Sequence, residues 1–138
     1  MIRTLIMSHL LIFGALPAML FAAEYATIQY TDNSDGVSYI VFQEAAGDMA
    51  FCRDLNQNFI RGLRTTCLSC VVELQGCDRS LPSAHRDIFR DVPGALPYIS
   101  APHMRIVVFG SPKATEICRE RAELLRRGMN QEALCVSR

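Results

Sequence analysis

The sequence has no surplus of charge of either sign. Its 138 residues carry 14 lysine and arginine side chains against 14 aspartate and glutamate side chains, so the formal net charge at pH 7 is zero. Proteins that bind nucleic acid need a basic surplus, because the phosphate backbone supplies most of their affinity. The composition therefore argues against a nucleic-acid partner.

Long apolar runs are also scarce, since the chain has only one. It covers residues 5–23 and follows Arg3, which is the pattern of a basic n-region and an apolar h-region. Small residues at Ala22 and Ala23 offer a cleavage site; if the segment is retained, residues 4–23 are long enough to cross a bilayer once. We predict a signal peptide or N-terminal membrane anchor over residues 1–23 and export of the rest, to the periplasm or beyond the cell.

Low-complexity tracts, charge runs and linkers are absent after residue 23. The remaining length suits one domain with a real core and is too short for two. Residues 24–138 are therefore predicted to form a single exported domain.

Six cysteines lie in this domain. An even number of cysteines in a small exported domain indicates up to three disulfides. The six are Cys52, Cys67, Cys70, Cys77, Cys118 and Cys135.

Part of the chain repeats itself. Cys52-Arg53-Asp54 stands ten residues before Gly62, and Cys118-Arg119-Glu120 stands ten residues before Gly128. Each segment follows a β-like run, residues 39–42 or 106–109, and precedes a cysteine–valine pair at residues 70–71 or 135–136. The repeated unit is therefore strand, helix, strand.

Two such units favour an α+β fold of the ferredoxin-like kind, a βαββαβ sandwich with an antiparallel four-stranded sheet and two helices. An N-terminal hairpin, with strands at residues 25–31 and 37–43, and a proline-rich insertion over residues 78–103 would decorate it. The insertion is expected to hold a short helix over residues 81–90 and an extended, irregular stretch over residues 95–102. A doubly wound parallel sheet is the alternative, but no glycine-rich loop follows any predicted strand.

Both predicted helices have cap signals. Asp48 is a candidate N-cap for the first, and Ser111 followed by Pro112 for the second. Gly62 and Gly128 are expected to end the two helices. The first helix carries an apolar stripe of residues four apart, and the second a similar one: Phe51, Leu55, Phe59, Leu63; Ile117, Ala122, Leu125, Met129.

The repeat also suggests which cysteines pair. A helix runs antiparallel to the strand after it, so its first turn lies beside that strand's far end. With the strand placed at residues 66–74, this geometry predicts disulfides Cys52–Cys70 and Cys118–Cys135. Cys67 and Cys77 then remain for each other.

Cys67-Leu68-Ser69-Cys70 is the sharpest chemical motif. A redox CxxC needs a thiolate stabilised at a helix N-terminus, whereas this pair precedes a predicted strand, so a structural role is favoured over thiol-disulfide exchange. Zinc held by Cys67, Cys70, Cys77 and His85 is possible by ligand type but has an unmatched spacing. We predict no metal and no cofactor.

Histidine and arginine side chains give weaker signals. His85 and His103 could be grouped with Asp87, Asp91 and Ser100, but no nucleophile-elbow or metalloprotease spacing is present, so we predict no catalytic group. Arg53 and Arg119 both fall in a predicted first helical turn, where an anion could bind. The simpler alternative is that each pairs with an acidic neighbour on the surface.

The element order over residues 105–136, a valine-rich strand, Gly110-Ser111, a helix and a strand, resembles half of a SPOR domain, the peptidoglycan-binding module of bacterial envelopes. This resemblance covers one βαβ unit and no diagnostic motif, and it assigns no family.

The sequence favours a non-catalytic, disulfide-stabilised binding or accessory module of the cell envelope, with an envelope component or a protein as partner. The alternatives are a small periplasmic thiol-disulfide oxidoreductase using Cys67 and Cys70, and an accessory subunit tethered by an uncleaved N-terminal segment.

Overall fold

The described part of the chain repeats the order strand, strand, helix, strand. The computed structural model describes residues 24–138, so the predicted signal peptide or anchor lies outside the described residues. The first unit holds β1 Tyr25–Asp32, β2 Val37–Glu44, α1 Met49–Thr66 and β3 Cys70–Asp78. The second holds β4 Tyr98–Ala101, β5 Met104–Phe109, α2 Ala114–Met129 and β6 Leu134–Val136. Between the units, two 3₁₀ turns cover Ser83–His85 and Ile88–Arg90.

All six strands form one sheet in the order β3-β1-β2-β5-β4-β6, and every neighbouring pair is antiparallel. From one edge to the centre the order is β3, β1, β2, and from the other edge it is β6, β4, β5. In both units the strand after the helix is at the edge and the second strand is at the centre. The sheet is therefore symmetric about the β2–β5 pair, and the duplication extends to a whole ββαβ unit.

The α+β class is as predicted, but the ferredoxin-like four-stranded arrangement is not what the chain adopts. β1, which was predicted to lie in a hairpin outside the main sheet, lies within it between β2 and β3. β4, taken as irregular, pairs with both β5 and β6. Pro97 and Pro102 stand immediately outside β4, where the missing N–H of proline disturbs no hydrogen bond of the sheet. The two prolines mark the ends of this strand, although in the sequence they indicate irregular structure. The all-antiparallel pairing also excludes the doubly wound alternative.

The helix boundaries differ from the predicted ones. Asp48 is the N-cap of α1, and its carboxylate accepts hydrogen bonds from the N–H groups of Ala50 and Phe51. Ser111 and Pro112 instead lie in a turn before α2, which begins at Ala114. Neither Gly62 nor Gly128 ends its helix. α1 continues to Thr66, and α2 continues to Met129, where Asn130 takes the left-handed conformation expected of a C-cap.

The sheet has a core on each face. Under the helices, Val37, Tyr39 and Val41 of β2 pack with Ile106 and Val108 of β5. On the opposite face, a second set packs against the insertion: Phe42, Ile88, Tyr98, Val107 and Phe89. The insertion is thus a covering layer rather than a free loop, although it forms two 3₁₀ turns instead of the predicted short helix.

Arg105 attaches that layer to the sheet. It is 8% exposed, and its guanidinium donates to the carbonyls of Ile88 (2.9 Å) and Ala101 (2.7 Å) and pairs with Asp91 (3.1 Å). The same group lies 4.8 Å from the centre of the Phe89 ring. A buried cation is tolerated here because its fork of donors is satisfied.

Three disulfides staple the domain, and one of them has the predicted pairing. Cys118–Cys135 is formed, whereas Cys52 pairs with Cys77 and Cys67 pairs with Cys70. The start of each helix does lie beside the far end of the next strand. β3, however, runs from Cys70 to Asp78 rather than over residues 66–74, so its far end carries Cys77.

All cysteines of the described region are oxidised, which is the usage of an oxidising, extracellular compartment. Neither helix of residues 24–138 is both long and apolar enough to cross a membrane.

Candidate functional site

A groove runs between α1 and α2 above the central strands β2 and β5. Its volume is about 1240 Å³, and most of its lining side chains are apolar. Six strands about 4.8 Å apart make a sheet about 29 Å wide, which is enough for three helices at spacings of about 10 Å. Two helices cover it, so a strip near the β2–β5 pair has no helix above it. We call this strip the interhelical groove.

The α1 side of the groove is the most apolar face of that helix. The predicted stripe of Phe51, Leu55, Phe59 and Leu63 is present, but it lines the groove. The α1 residues buried against the sheet are Cys52, Asn56 and Ile60. Phe51 is 46% exposed as a result. An amphipathic helix normally buries its apolar stripe, so this wall is left half covered.

The α2 side has the same organisation with one polar substitution. Cys118 and Ala122, both small, are its buried residues, while Leu125 and Met129 line the groove. Arg121 follows Cys118 as Leu55 follows Cys52, and it also lines the groove. The repeat therefore places a cation where the first unit has leucine.

Two tyrosines form part of the floor. The rings of Tyr30 and Tyr39 stack with centroids 4.9 Å apart, and Phe59 packs on Tyr30. Burial raises the pKa of both phenols. Both hydroxyls therefore stay protonated and able to donate.

The Tyr39 hydroxyl is buried without a hydrogen-bond partner in the described part of the chain, and the residue is only 5% exposed. The Arg121 guanidinium lies beside this hydroxyl and opposes the effect of burial on the pKa of Tyr39, both by its charge and as a hydrogen-bond donor, although the pair falls short of full hydrogen-bond geometry. Buried polar atoms of native proteins are nearly always paired. The hydroxyl is covered at the floor of the groove, so a ligand atom reaches it only when the Arg121 side chain beside it moves aside.

Acidic groups stand at the two ends of the groove. At one end, Asp32 accepts hydrogen bonds from the hydroxyls of Ser69 (2.6 Å) and Ser34 (2.7 Å), and these bonds lower the pKa of its carboxyl. At the other end, Glu44 pairs with Nδ1 of His103 at 3.1 Å.

The Cys67–Cys70 disulfide lies at the Asp32 end and lines the groove. Cys67 is the C-cap of α1, so the negative end of the helix dipole faces the sulfurs, and the Asp32 carboxylate is close to both. Both features disfavour a thiolate, which redox catalysis needs. The motif holds Leu68 out into solvent, 95% exposed.

The structure does not bring together the four residues that could bind zinc by ligand type. Cys77 is bonded to Cys52, and His85 packs on Phe42 on the face opposite the helices. A different trio, Asp32, Cys67 and Cys70, has its possible ligand atoms within 4.8 Å of one another. Both sulfurs of that trio are held in the disulfide.

The remaining candidate residues stay apart from the groove or from one another. Arg53 and Arg119 are exposed on their helices, and within residues 24–138 neither lines the groove nor joins an ion pair, so their anion-binding role stays a prediction.

Asp91, Ser100 and His103 do line one smaller cavity of about 490 Å³. However, Asp91 pairs with Arg105 and His103 with Glu44. Among the described residues no hydrogen bond joins Ser100 to His103, so the nucleophile–base contact of a hydrolase is missing.

No sequence pattern grouped Tyr39 with Arg121 as site residues. The sequence of α1 does carry one signal. Three large apolar residues of the stripe, Phe51, Leu55 and Phe59, are each followed directly by a member of a second set with the same spacing: Cys52, Asn56 and Ile60. These two sets lie on adjacent faces of the helix. Only one face can pack on the sheet, so the other is left to contact something else.

The chain matches no protein-family model, and neither the curated proteins nor the solved structures contain a significant match.

Proposed function

We propose that the protein is an exported, disulfide-stabilised binding module of the cell envelope, without catalytic activity, and that the interhelical groove is its binding site. The single observation that carries this proposal is the direction of the α1 stripe, which faces the groove instead of the sheet. A ligand with an apolar surface removes that stripe from water, and this burial supplies the affinity.

Energetics support an apolar ligand. Fully burying one large apolar side chain contributes about 1.5–3 kcal/mol, and several half-covered ones line the groove. The rigid wall also favours binding, because both helices are tied to the sheet near their starts by Cys52–Cys77 and Cys118–Cys135. Little ordering of the protein is then needed when the ligand binds.

The test uses the exported protein and phenylnaphthylamine, an uncharged fluorescent apolar probe. We expect saturable binding that weakens about tenfold in Phe51→Gln/Met129→Gln, since both side chains line the groove and are half exposed. Met49→Gln/Leu124→Gln is the matched control, with one change on each helix at equally exposed positions outside the groove.

Equal weakening in the two double variants, or no saturable binding by the native protein, would contradict the proposal. Because all four positions are exposed, neither variant should lose its fold, and circular dichroism checks this directly.

Thiol-disulfide exchange at Cys67 and Cys70 is the second candidate. Two observations favour it: the CxxC pair is closed on itself, and the second repeat has no equivalent of it. Exposure of the protein to a glutathione redox buffer, followed by alkylation and mass measurement, separates the candidates. A mixed disulfide at Cys67 or Cys70 supports exchange, whereas a disulfide that stays closed supports the binding module.

A further inference from the structure

We propose that the ligand of the groove is a single-chain amphiphile with a carboxylate head, a long-chain fatty acid by class, whose head lies between Arg121 and the Tyr39 hydroxyl. This inference rests on the proposed function and adds the ligand class to it.

Arg121 supplies the charge for this assignment. None of the ion pairs within residues 24–138 includes Arg121, although its charge helps to lower the pKa of the nearby Asp32 carboxyl. Its neighbours along the groove are mostly apolar, such as Leu125 on its own helix and Phe59 on the facing one, and α1 adds two polar side chains, Asn58 and Thr66. A carboxylate can take two donors of such a guanidinium at once.

Tyr39 supplies the second contact. Its hydroxyl is buried beside Arg121, and among the described residues it has no partner in full hydrogen-bond geometry. A carboxylate oxygen that accepts from this O–H would satisfy it and would meet the guanidinium at the same time. Asp32 is the acidic neighbour at this end, but its Oδ1 is already taken by Ser34 and Ser69, which direct the carboxylate toward them.

The rest of the groove fits an apolar tail. α1 and α2 run antiparallel, since each runs back along the strand before it and β2 is antiparallel to β5. Arg121 in the second turn of α2 is therefore nearer the C-terminal half of α1, and Met129 is nearer its start at Phe51. A head at Arg121 leaves a path along Leu55 and Leu125 toward Phe51 and Met129, all of which line the groove.

The experiment displaces phenylnaphthylamine from the exported protein with palmitate or with hexadecanol, which has the same chain and an uncharged head. We expect palmitate to bind at least tenfold more tightly than hexadecanol. Shortening the acid should weaken it about fourfold for each methylene removed, because each buried methylene contributes a nearly constant increment.

Substitutions then test the head site. Arg121→Gln should abolish the preference for palmitate while leaving hexadecanol binding unchanged, and Tyr39→Phe should reduce the preference several-fold. Arg119→Gln is the control, since Arg119 is exposed on the same helix and does not line the groove. An unchanged preference in Arg121→Gln, or hexadecanol equal to palmitate in the native protein, would overturn the inference.

These failures differ from failure of the proposed function. If phenylnaphthylamine binds in the groove but the head makes no difference, the binding module stands and the ligand class is wrong. If an apolar helical peptide displaces the probe and palmitate does not, the occupant is a protein helix and the inference is also wrong. If no apolar probe binds the groove, both proposals fail.

Discussion

At the scale of single residues, the groove floor is sensitive to alkaline pH. Burial raises the pKa of Tyr30, Tyr39 and Tyr98 in the folded protein, whereas unfolding returns each phenol to its ordinary value near 10. Below that value both states are protonated and stability does not depend on these groups. As pH rises through about 10, the unfolded state ionises first and the free energy of unfolding falls.

Urea unfolding between about pH 8 and pH 11 measures this effect. We expect stability to decline above about pH 10 and to decline less in Tyr30→Phe, which removes one of the ionising groups. Tyr25→Phe is the control, because Tyr25 lies on the other face beside Phe89. A decline that is the same in native protein and Tyr30→Phe would show that the buried phenol is not responsible.

The three disulfides should differ in what their loss costs. Chain-entropy arguments give roughly 3.5 kcal/mol for Cys52–Cys77 and roughly 3 kcal/mol for Cys118–Cys135, but only roughly 2 kcal/mol for the short Cys67–Cys70 loop. Paired serine substitutions followed by urea denaturation test the order. A larger loss in Cys67→Ser/Cys70→Ser than in Cys52→Ser/Cys77→Ser would contradict this account of the staples.

At the scale of elements, neither repeat glycine ends its helix, since Gly62 lies inside α1 and Gly128 is the last but one residue of α2. A Cβ added at Gly62 or Gly128 would meet nothing within 4 Å, and neither residue has a positive φ. Gly62→Ala should therefore raise the free energy of unfolding by about 0.5–1 kcal/mol, since alanine loses less backbone entropy in a helix.

Gly110→Ala provides the contrast in the same thermal denaturation experiment. Gly110 has φ +80°, and its added Cβ would lie 3.3 Å from the Gly36 carbonyl oxygen, so this variant should be less stable than the native protein. A loss of stability in Gly62→Ala would mean that the glycine is needed where it stands.

Local patterns predicted the elements better than their ends. The Asp48 cap, the β1–β2 hairpin and the Cys118–Cys135 pair follow from residues that are close in sequence or linked by the repeat. The glycine stop signals were wrong by one turn in α1 and by one residue in α2, and a single glycine inside a helix costs only about 1 kcal/mol. β4 was missed because its prolines read as a break, and its pairing partners lie elsewhere in the chain.

The cysteine pairing depends on where β3 begins. Moving the start of β3 from residue 66 to Cys70 changed which cysteine reaches α1, although the geometric argument was unchanged. Tyr39 and Arg121 could not be grouped from sequence, because they meet only through the placement of two helices on a shared sheet.

At the scale of the whole molecule, duplication creates the groove. Each ββαβ unit supplies three strands and one helix, so joining two units at β2 and β5 produces a sheet wider than its helices can cover. The uncovered strip falls at the junction, and both helices direct apolar side chains into it. The groove is therefore a property of the pair of repeats and is present in neither alone.

Methyl NMR of the exported protein, labelled at leucine and methionine and titrated with phenylnaphthylamine, tests the groove most directly. We expect shifts of the methyl groups that line it, Leu55, Leu63, Leu125, Met104 and Met129, and no change at the exposed leucines outside it, Leu68, Leu74, Leu124 and Leu134. Shifts confined to those four exposed leucines, or no shifts at saturating probe, would contradict the proposed binding site.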